Sequence, residues 1–389
     1  MFRSAASLVA ACLFNLHAVA APSITLPPGF EVHPFVSGLH TNTSMVWLPG
    51  GRMLCNELAV VSYPLGGATG RIRVVESGGV LLPQALYETS VDPGNGLSGL
   101  ALDPGFESNR WLYVYVALPG NETHELRRLT VAPDFASVSE EITLASLPAP
   151  APASSWHGQT NMEFGPDGLL WVNLGDGAYE TASPELEEPP PQDPASLFGK
   201  VFRLDVHALP LDLSSPEALI VASGFRNPFG LAVHPALGTV WVTENGPLVD
   251  DELNVIVPGG NYGWPLLTGS QSSPGYIAPA RNYPQVIAPV DAAFYTGAQF
   301  PATYAGNLFF GDFIRGGLRR VVLGGPNLDV YVSEDLWFDN RPFGHLTSVA
   351  VAPDGTLHFG AQTVPYSTGP DTTIHRITFV SEPAGLALR

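Results

Sequence analysis

The sequence predicts an all-β fold, a six-bladed β-propeller of four-stranded antiparallel blades. Repetition is the first reason. A turn followed by an aliphatic or aromatic strand recurs as LPGGRMLC (48–55), DPGFESNRWLYVYV (103–116), GPDGLLWVNLGD (165–176), HPALGTVWVTEN (234–245), PATYAGNLFFGD (301–312) and APDGTLHFGA (352–361). Spacing between copies is about 50 to 65 residues, the length of one four-stranded blade. Composition is the second: Gly 41 and Pro 38 in 389 residues supply tight turns rather than long helices. The third is that no amphipathic helix of about 10–15 residues separates the strands, which disfavours a parallel α/β sheet.

The elements follow in chain order. Residues 1–20 carry Arg3, an apolar run from Ala5 to Leu16 and an Ala-Val-Ala ending at Ala20. That pattern is a secretory signal, too short to span a membrane, so the expected location is extracellular or periplasmic. Residues 21–389 are then expected to form one propeller domain. An early strand, GFEVHPFV (29–36), is expected to pair beside the terminal strand TIHRITFV (373–380) and close the ring, because an open ring leaves sheet edges unpaired. Five of the repeated turns follow an alternating strand (SMVWL, LSGLAL, NMEF, FGLAV, TSVAV), and further strands such as GRIRVVE, HELRRLTV and GKVFRLDV follow them. Two segments interrupt the pattern. ASLPAPAPASS (145–155) reads as an extended connector, and AYETASPELEEPPPQDPASL (178–197) as an acidic, Pro-rich loop.

Charge and cysteine narrow the function. A net charge of −19 with Lys200 as the only lysine disfavours nucleic acid and anionic membranes, and is compatible with neutral sugars. No later stretch is apolar enough to insert in a membrane. Cys12 lies in the leader, so Cys55 is left unpaired and is expected to pack as a small buried residue. Asn42-Thr43-Ser44 and Asn121-Glu122-Thr123 are glycosylation sequons in form.

The chemistry-bearing residues concentrate in two stretches. In SWHGQTNMEFGPDGLLWVNLGDG, His157 precedes one strand and Asp176 ends the next, so both should face the central funnel from the same side. A carboxylate on one ring nitrogen fixes the imidazole tautomer and leaves the other nitrogen as a base. From Ala222 to Pro265 run Arg226-Asn227-Pro228, then Asn245-Gly246-Pro247, then Asp250-Asp251-Glu252, then GGNYGWP (259–265). A guanidinium, a carboxamide, carbonyls beside Gly-Pro and a carboxylate trio suit an anionic ligand held with a hard cation. Ca²⁺ fits, since it takes six to eight oxygen ligands in flexible geometry.

Taken together, this 44-residue pattern resembles the glucose/sorbosone dehydrogenase family, soluble sugar dehydrogenases that use pyrroloquinoline quinone (PQQ). There, RNPxGLA, E-x-GP, DDELN and GGNYGWP occur in this order. NGLSGL (95–100) with DPGFESNRWLYV, LFGKVFRLD (197–205) and AFYTGAQFPATYAGNLFFGD (293–312) extend the likeness over nearly all of the chain beyond the leader. The resemblance implies His157 as general base with Asp176 as its partner. It implies Arg226 and Asn227 on the quinone oxygens, and Arg226 as the group that stabilises charge on the reduced quinone. It gives the carbonyls of Gly246 and Pro247 to a Ca²⁺ that polarises the cofactor, and Asp251, Glu252 and Tyr262 to a second, structural Ca²⁺.

The sequence also departs from the family. The best-known soluble glucose dehydrogenases answer the three PQQ carboxylates with Lys and Arg from the last two blades. Here His345 and Thr347 stand where paired arginines are expected, and Ile314, with Arg315 beside it, where a lysine is expected. Arg315 and His345, with Arg319 and Arg341, are the candidates to supply the missing charge. The branch resembled most is the sorbosone-dehydrogenase-like one. No C-x-x-C-H haem motif is present, so electrons would leave to a separate acceptor. Two other readings of a propeller with this content are a Ca²⁺-dependent lactonase or esterase, and a non-catalytic extracellular module that binds carbohydrate or protein.

Overall fold

The computed structural model describes residues 21–62, 67–149, 156–179 and 189–380. The expected leader, 1–20, lies outside them. Six sheets follow one another around an axis. Blade 1 is Met45–Trp47, Met53–Ser62, Gly67–Val75 and Tyr87–Val91. Blade 2 is Leu97–Leu102, Trp111–Ala117, Thr123–Val131 and Val138–Pro148. Blade 3 is Met162–Phe164, Leu170–Leu174, Lys200–Leu204 and Ile220–Ser223, with Gly260–Asn261 added in parallel at its edge. Blade 4 is Pro228–Val233, Val240–Glu244, Asp251–Val255 and Arg281–Tyr283. Blade 5 is Pro289–Phe294, Leu308–Asp312, Leu318–Gly324 and Val330–Leu336. Blade 6 combines His345–Val351, Leu357–Gln362 and Thr372–Phe379 with the early strand Phe30–Leu39. That last pairing, Phe30 to Phe379 through Leu39 to Thr372, closes the ring as the sequence predicts.

Alternation along the strands explains the packing. Leu112, Val114 and Val116 face blade 1, while Tyr113 and Tyr115 on the same strand face blade 3. Trp171 and Trp241 likewise point away from their strand neighbours Val172 and Val242. A separate apolar cluster therefore fills each junction between blades, and Cys55 sits in the one between blades 6 and 1. Burial of whole aromatic and aliphatic side chains is the main stabilising term, about 1.5–3 kcal/mol each.

Polar side chains near the axis add a second tie. Asn56 in blade 1 donates to the Leu97 carbonyl, Asn173 in blade 3 to that of Pro228, and Thr243 in blade 4 to that of Val290. In these three blades the second strand thus reaches the first strand of the next blade. Both sequon asparagines belong to such buried networks. Asn42 is 0% exposed and bonds Asn56, and Asn121 is 2% exposed and bonds Asn95 and His124. Neither presents its amide to solvent.

Of the two interruptions, the first resolves differently from expectation. Ala145 to Pro148 do not form a connector: they end the outer strand of blade 2, with Ala145 and Leu147 buried. Residues 150–155 and 180–188 lie outside the described residues. The described end of the acidic loop is docked, not solvated throughout. Gln192 donates to the Trp264 carbonyl at 2.6 Å and accepts from Asn261 at 2.7 Å, and Pro191 accepts from Gly224 at 3.0 Å.

Candidate active site

Innermost strands begin, and their neighbours end, at one mouth of the propeller. A cavity of about 480 Å³ opens there, lined from all sides of the ring, with His157, Gln159, Asn227, Asn245, Thr347 and Gln362 among its polar groups. Its volume is in the range of small-ligand sites.

His157 enters it from the turn before blade 3. Its backbone is left-handed (φ 57°), and the turn is clamped by neighbours. Gly158 donates to Asn95 Oδ1 at 3.0 Å, and Gly177 donates to the His157 carbonyl at 3.1 Å. Packing forbids a side chain at Gly175, where a Cβ would stand 2.3 Å from that same carbonyl oxygen. The imidazole Nδ1 is 2.8 Å from Asp176 Oδ1. Since an ionised carboxylate can only accept, Nδ1 carries the hydrogen and Nε2 keeps its lone pair. Asp176 is 0% exposed and also accepts from the Ala178 amide at 2.8 Å and from Trp264 Nε1 at 2.9 Å.

Arg226 is on the same rim. Its carbonyl accepts from the Asp176 amide at 2.7 Å, and its guanidinium carbon lies 5.6 Å from the Trp264 ring centre. Nη1 donates to the carbonyls of Asn245 (3.1 Å) and Gly246 (2.8 Å), and the backbone amide donates to Glu244 at 2.6 Å. The structure thus unites His157, Asp176, Arg226 and the Gly246 segment. Trp264, on Asp176, and Glu244, on the Arg226 amide, are positions that sequence reasoning missed as individual residues. Both lie inside the motifs ENGP and NYGWP, so the signal was present without the geometry.

Other expected residues fall elsewhere. Arg315 is paired through two nitrogens with Asp339, and does not line the cavity. His345 is turned to the Phe313 carbonyl at 2.6 Å, and burial lowers its pKa, so it supplies no charge to the mouth. Asp251 is saturated by backbone amides, from Gly246 at 2.8 Å and from Ile287 and Ala288 at 2.7 Å each. The Tyr262 hydroxyl donates to the Val255 carbonyl and its ring stacks on Phe225, so the side chain is already engaged away from a cation. Glu252 does meet a second acid. Asn254 donates to Glu252 at 3.0 Å and to Glu244 at 3.1 Å. Burial, with Glu252 beside it, pushes Glu244 well above the usual carboxylate range, and burial, with Asp250 and Asp251 adding to it, pushes Glu252 up to about 7. Fully buried Asn254 leaves its Oδ1 without a hydrogen-bond partner. Two carboxyls and an orphaned amide oxygen are a donor set that a hard cation would satisfy.

The fit to PQQ differs between its two ends. Toward the quinone end Asn227 and Asn245 line the cavity, while Arg226, Gly246 and Pro247 line a separate small pocket with Glu244, Glu252 and Trp264, a set that suits polarised oxygens and a cation. No Lys or Arg lines the cavity itself among the described residues. Three carboxylates there would meet amide and hydroxyl donors and the water of the open mouth.

A glucose dehydrogenase of known structure superposes with a TM-score of 0.74 at 25% identity, over 91% of this chain and 100% of that one. Quinoprotein glucose dehydrogenase B of Acinetobacter calcoaceticus is 31% identical over 271 residues, covering 64% of this chain and 55% of that protein. Aldose sugar dehydrogenase of Escherichia coli strain K12 is 30% identical over 210 residues, 51% of this chain and 54% of that protein. The chain thus spans about half the length of these two curated relatives. The Glucose / Sorbosone dehydrogenase family model matches from residue 39, at the end of the closing strand, to residue 363, past the last inner strands, and so takes in every blade: the chain belongs to the glucose/sorbosone dehydrogenase family.

Proposed function

We propose that the protein is an exported, Ca²⁺-dependent quinoprotein that oxidises a neutral sugar, with His157 as general base and PQQ as the hydride acceptor. The observation that carries this reading is the Asp176–His157 pair at the cavity, joined through Trp264 and the Asp176 amide to Arg226.

Each residue has a definable part. His157 Nε2 takes the proton of the sugar hydroxyl, and Asp176 holds the ring and offsets the positive charge it gains. Arg226 and Asn227 orient the acceptor, and Arg226 balances negative charge that builds on it. Carbonyls of Gly246 and Pro247 would hold the catalytic cation, and Glu252, with Glu244 and the Tyr262 carbonyl, the structural one. When bound, PQQ and Ca²⁺ together supply an electrophilic carbonyl that receives the hydride. Electrons then pass to a separate carrier. The N-terminal pattern and the quinoprotein relative support export and cofactor respectively.

Protein reconstituted with PQQ and Ca²⁺ should gain the quinone absorbance band and reduce a dye when sugars are added. A flat response across a broad sugar panel, with lactone hydrolysis present, would replace this reading by a lactonase.

A further inference from the structure

The mouth above His157 carries two large rings that nothing in the proposed chemistry uses. Trp156 is 59% exposed and Tyr366 is 72% exposed, and both line the cavity. They come from loops of blades 3 and 6, which stand opposite each other in the ring. Their centroids are 6.4 Å apart, edge to face at 86°. Tyr366 is backed by Phe313 at 5.2 Å and holds a left-handed backbone (φ 56°), which fixes where its ring projects.

Exposed aromatic rings at a sugar site have one evident use. A pyranose presents a face of C–H bonds, and that face packs on an aromatic ring with both surfaces leaving water. Trp156 directly precedes His157, so a sugar whose reacting carbon lies at the imidazole extends its remainder toward these two rings. Apart from His157, no acidic or basic side chain lines the cavity among the described residues. The net charge of −19 disfavours a uronate or a sugar phosphate at this mouth.

We infer that Trp156 and Tyr366 form a stacking platform for a second, neutral sugar ring, so that the preferred substrate is a reducing disaccharide or longer oligosaccharide. This rests on the sugar-oxidation reading and specifies its substrate. One ring occupies the cavity beside His157. The next lies between or against Trp156 and Tyr366, whose edge-to-face contact opens by side-chain rotation to admit it.

The test compares glucose with cellobiose in dye reduction, and binding of methyl β-cellobioside, which has no free anomeric hydroxyl, by calorimetry. Wild-type protein is expected to show a lower KM for cellobiose than for glucose. Trp156→Ala and Tyr366→Ala should each raise the cellobiose KM about fivefold to tenfold more than the glucose KM, with kcat moving less. Trp156→Phe and Tyr366→Phe, which keep a ring and control for folding, should recover most of the affinity. Equal KM changes for both sugars, or no preference in the wild type, would overturn the platform. If no sugar is oxidised but methyl β-cellobioside still binds in a Trp156-dependent way, the platform stands and the dehydrogenase reading falls.

Discussion

Arg226 donates through Nη1 to the Gly246 carbonyl at 2.8 Å, so the oxygen that the family resemblance gives to Ca²⁺ already faces a positive charge. Glu244 beneath the Arg226 amide, and Asp251 on the Gly246 amide, hold that arrangement from behind. A carbonyl has two lone pairs, so a guanidinium and a cation can share it where acids lie this close. Arg226→Lys keeps the charge but loses the planar fork that reaches two carbonyls and covers Trp264. We expect about tenfold weaker PQQ uptake, read by absorbance titration, together with slower turnover. Wild-type uptake in this variant would show that Arg226 does not meet the cofactor.

Asp176→Asn should separate orientation from charge. The amide keeps the size of the side chain but removes the negative partner that fixes the Nδ1 hydrogen. Loss of kcat by about 10²–10⁴-fold, the usual scale of general-base catalysis, is expected, with cofactor uptake retained. His157→Ala should do the same. Uptake lost along with turnover would mean the imidazole binds the cofactor instead.

Trp264→Phe removes one donor from a carboxylate that has no exposure. A buried acceptor left unpaired costs about 1–3 kcal/mol. We expect a lower Tm and, because Asp176 steers His157, a displaced pH profile of kcat. A purely structural role would lower Tm and leave the profile in place.

How much of this was legible depends on which property each residue needed. Strand order and closure were readable because alternation and turn spacing repeat, and the closing pair 29–36 with 373–380 carries enough register to be matched. His157 and Asp176 were readable because a position just before or after an inner strand of a blade faces one mouth whatever the side chain. Arg315 and His345 were not. Both sit at strand ends beside turns, where a small change in backbone direction decides between axis and exterior, and local partners, Asp339 and the Phe313 carbonyl, decided it. Asp251 shows the same limit: a carboxylate in a ligand-rich motif was taken up by the nearby Gly246 amide and by two amides, of Ile287 and Ala288, from another segment. Ala145 to Pro148 failed for another reason, since Pro and Ala weaken the strand signal although the outer edge of a blade tolerates both.

Calcium should act on stability as well as on activity. Glu244 and Glu252 oppose each other without a cation, so a bound Ca²⁺ relieves the strain of holding two buried acids together. A cation present at about 100 times its Kd adds about 2.7 kcal/mol. Tm is therefore expected to rise with Ca²⁺ and fall on chelation, measured calorimetrically without PQQ. In Glu252→Gln that response should shrink. An undiminished Ca²⁺ effect in the variant would place the stabilising cation elsewhere.

Acid stability offers a test independent of the active site. His358 is 1% exposed and packs against Phe35 at 4.9 Å and Trp47 at 4.8 Å, and neither ring nitrogen makes a hydrogen bond of ordinary geometry. Burial pushes its pKa down to about 4; Asp354 opposes this, and Arg376, with a smaller effect, reinforces it. Between the unfolded value of about 6.5 and the folded value, the unfolded chain binds a proton that the native chain does not. Stability is therefore complete above that window and falls as pH drops through it, by up to about 3 kcal/mol for this group. Asp312, pushed up to about 6 by burial, works in the opposite sense, so the whole curve is a sum and the variant must be read by difference. His358→Phe keeps an aromatic ring in an aromatic pocket and removes the titration. Its Tm should fall less than that of the wild type between pH 6.5 and 4, while the two differ by a constant offset above pH 7. Parallel curves through the acid range would show that His358 does not carry the acid sensitivity.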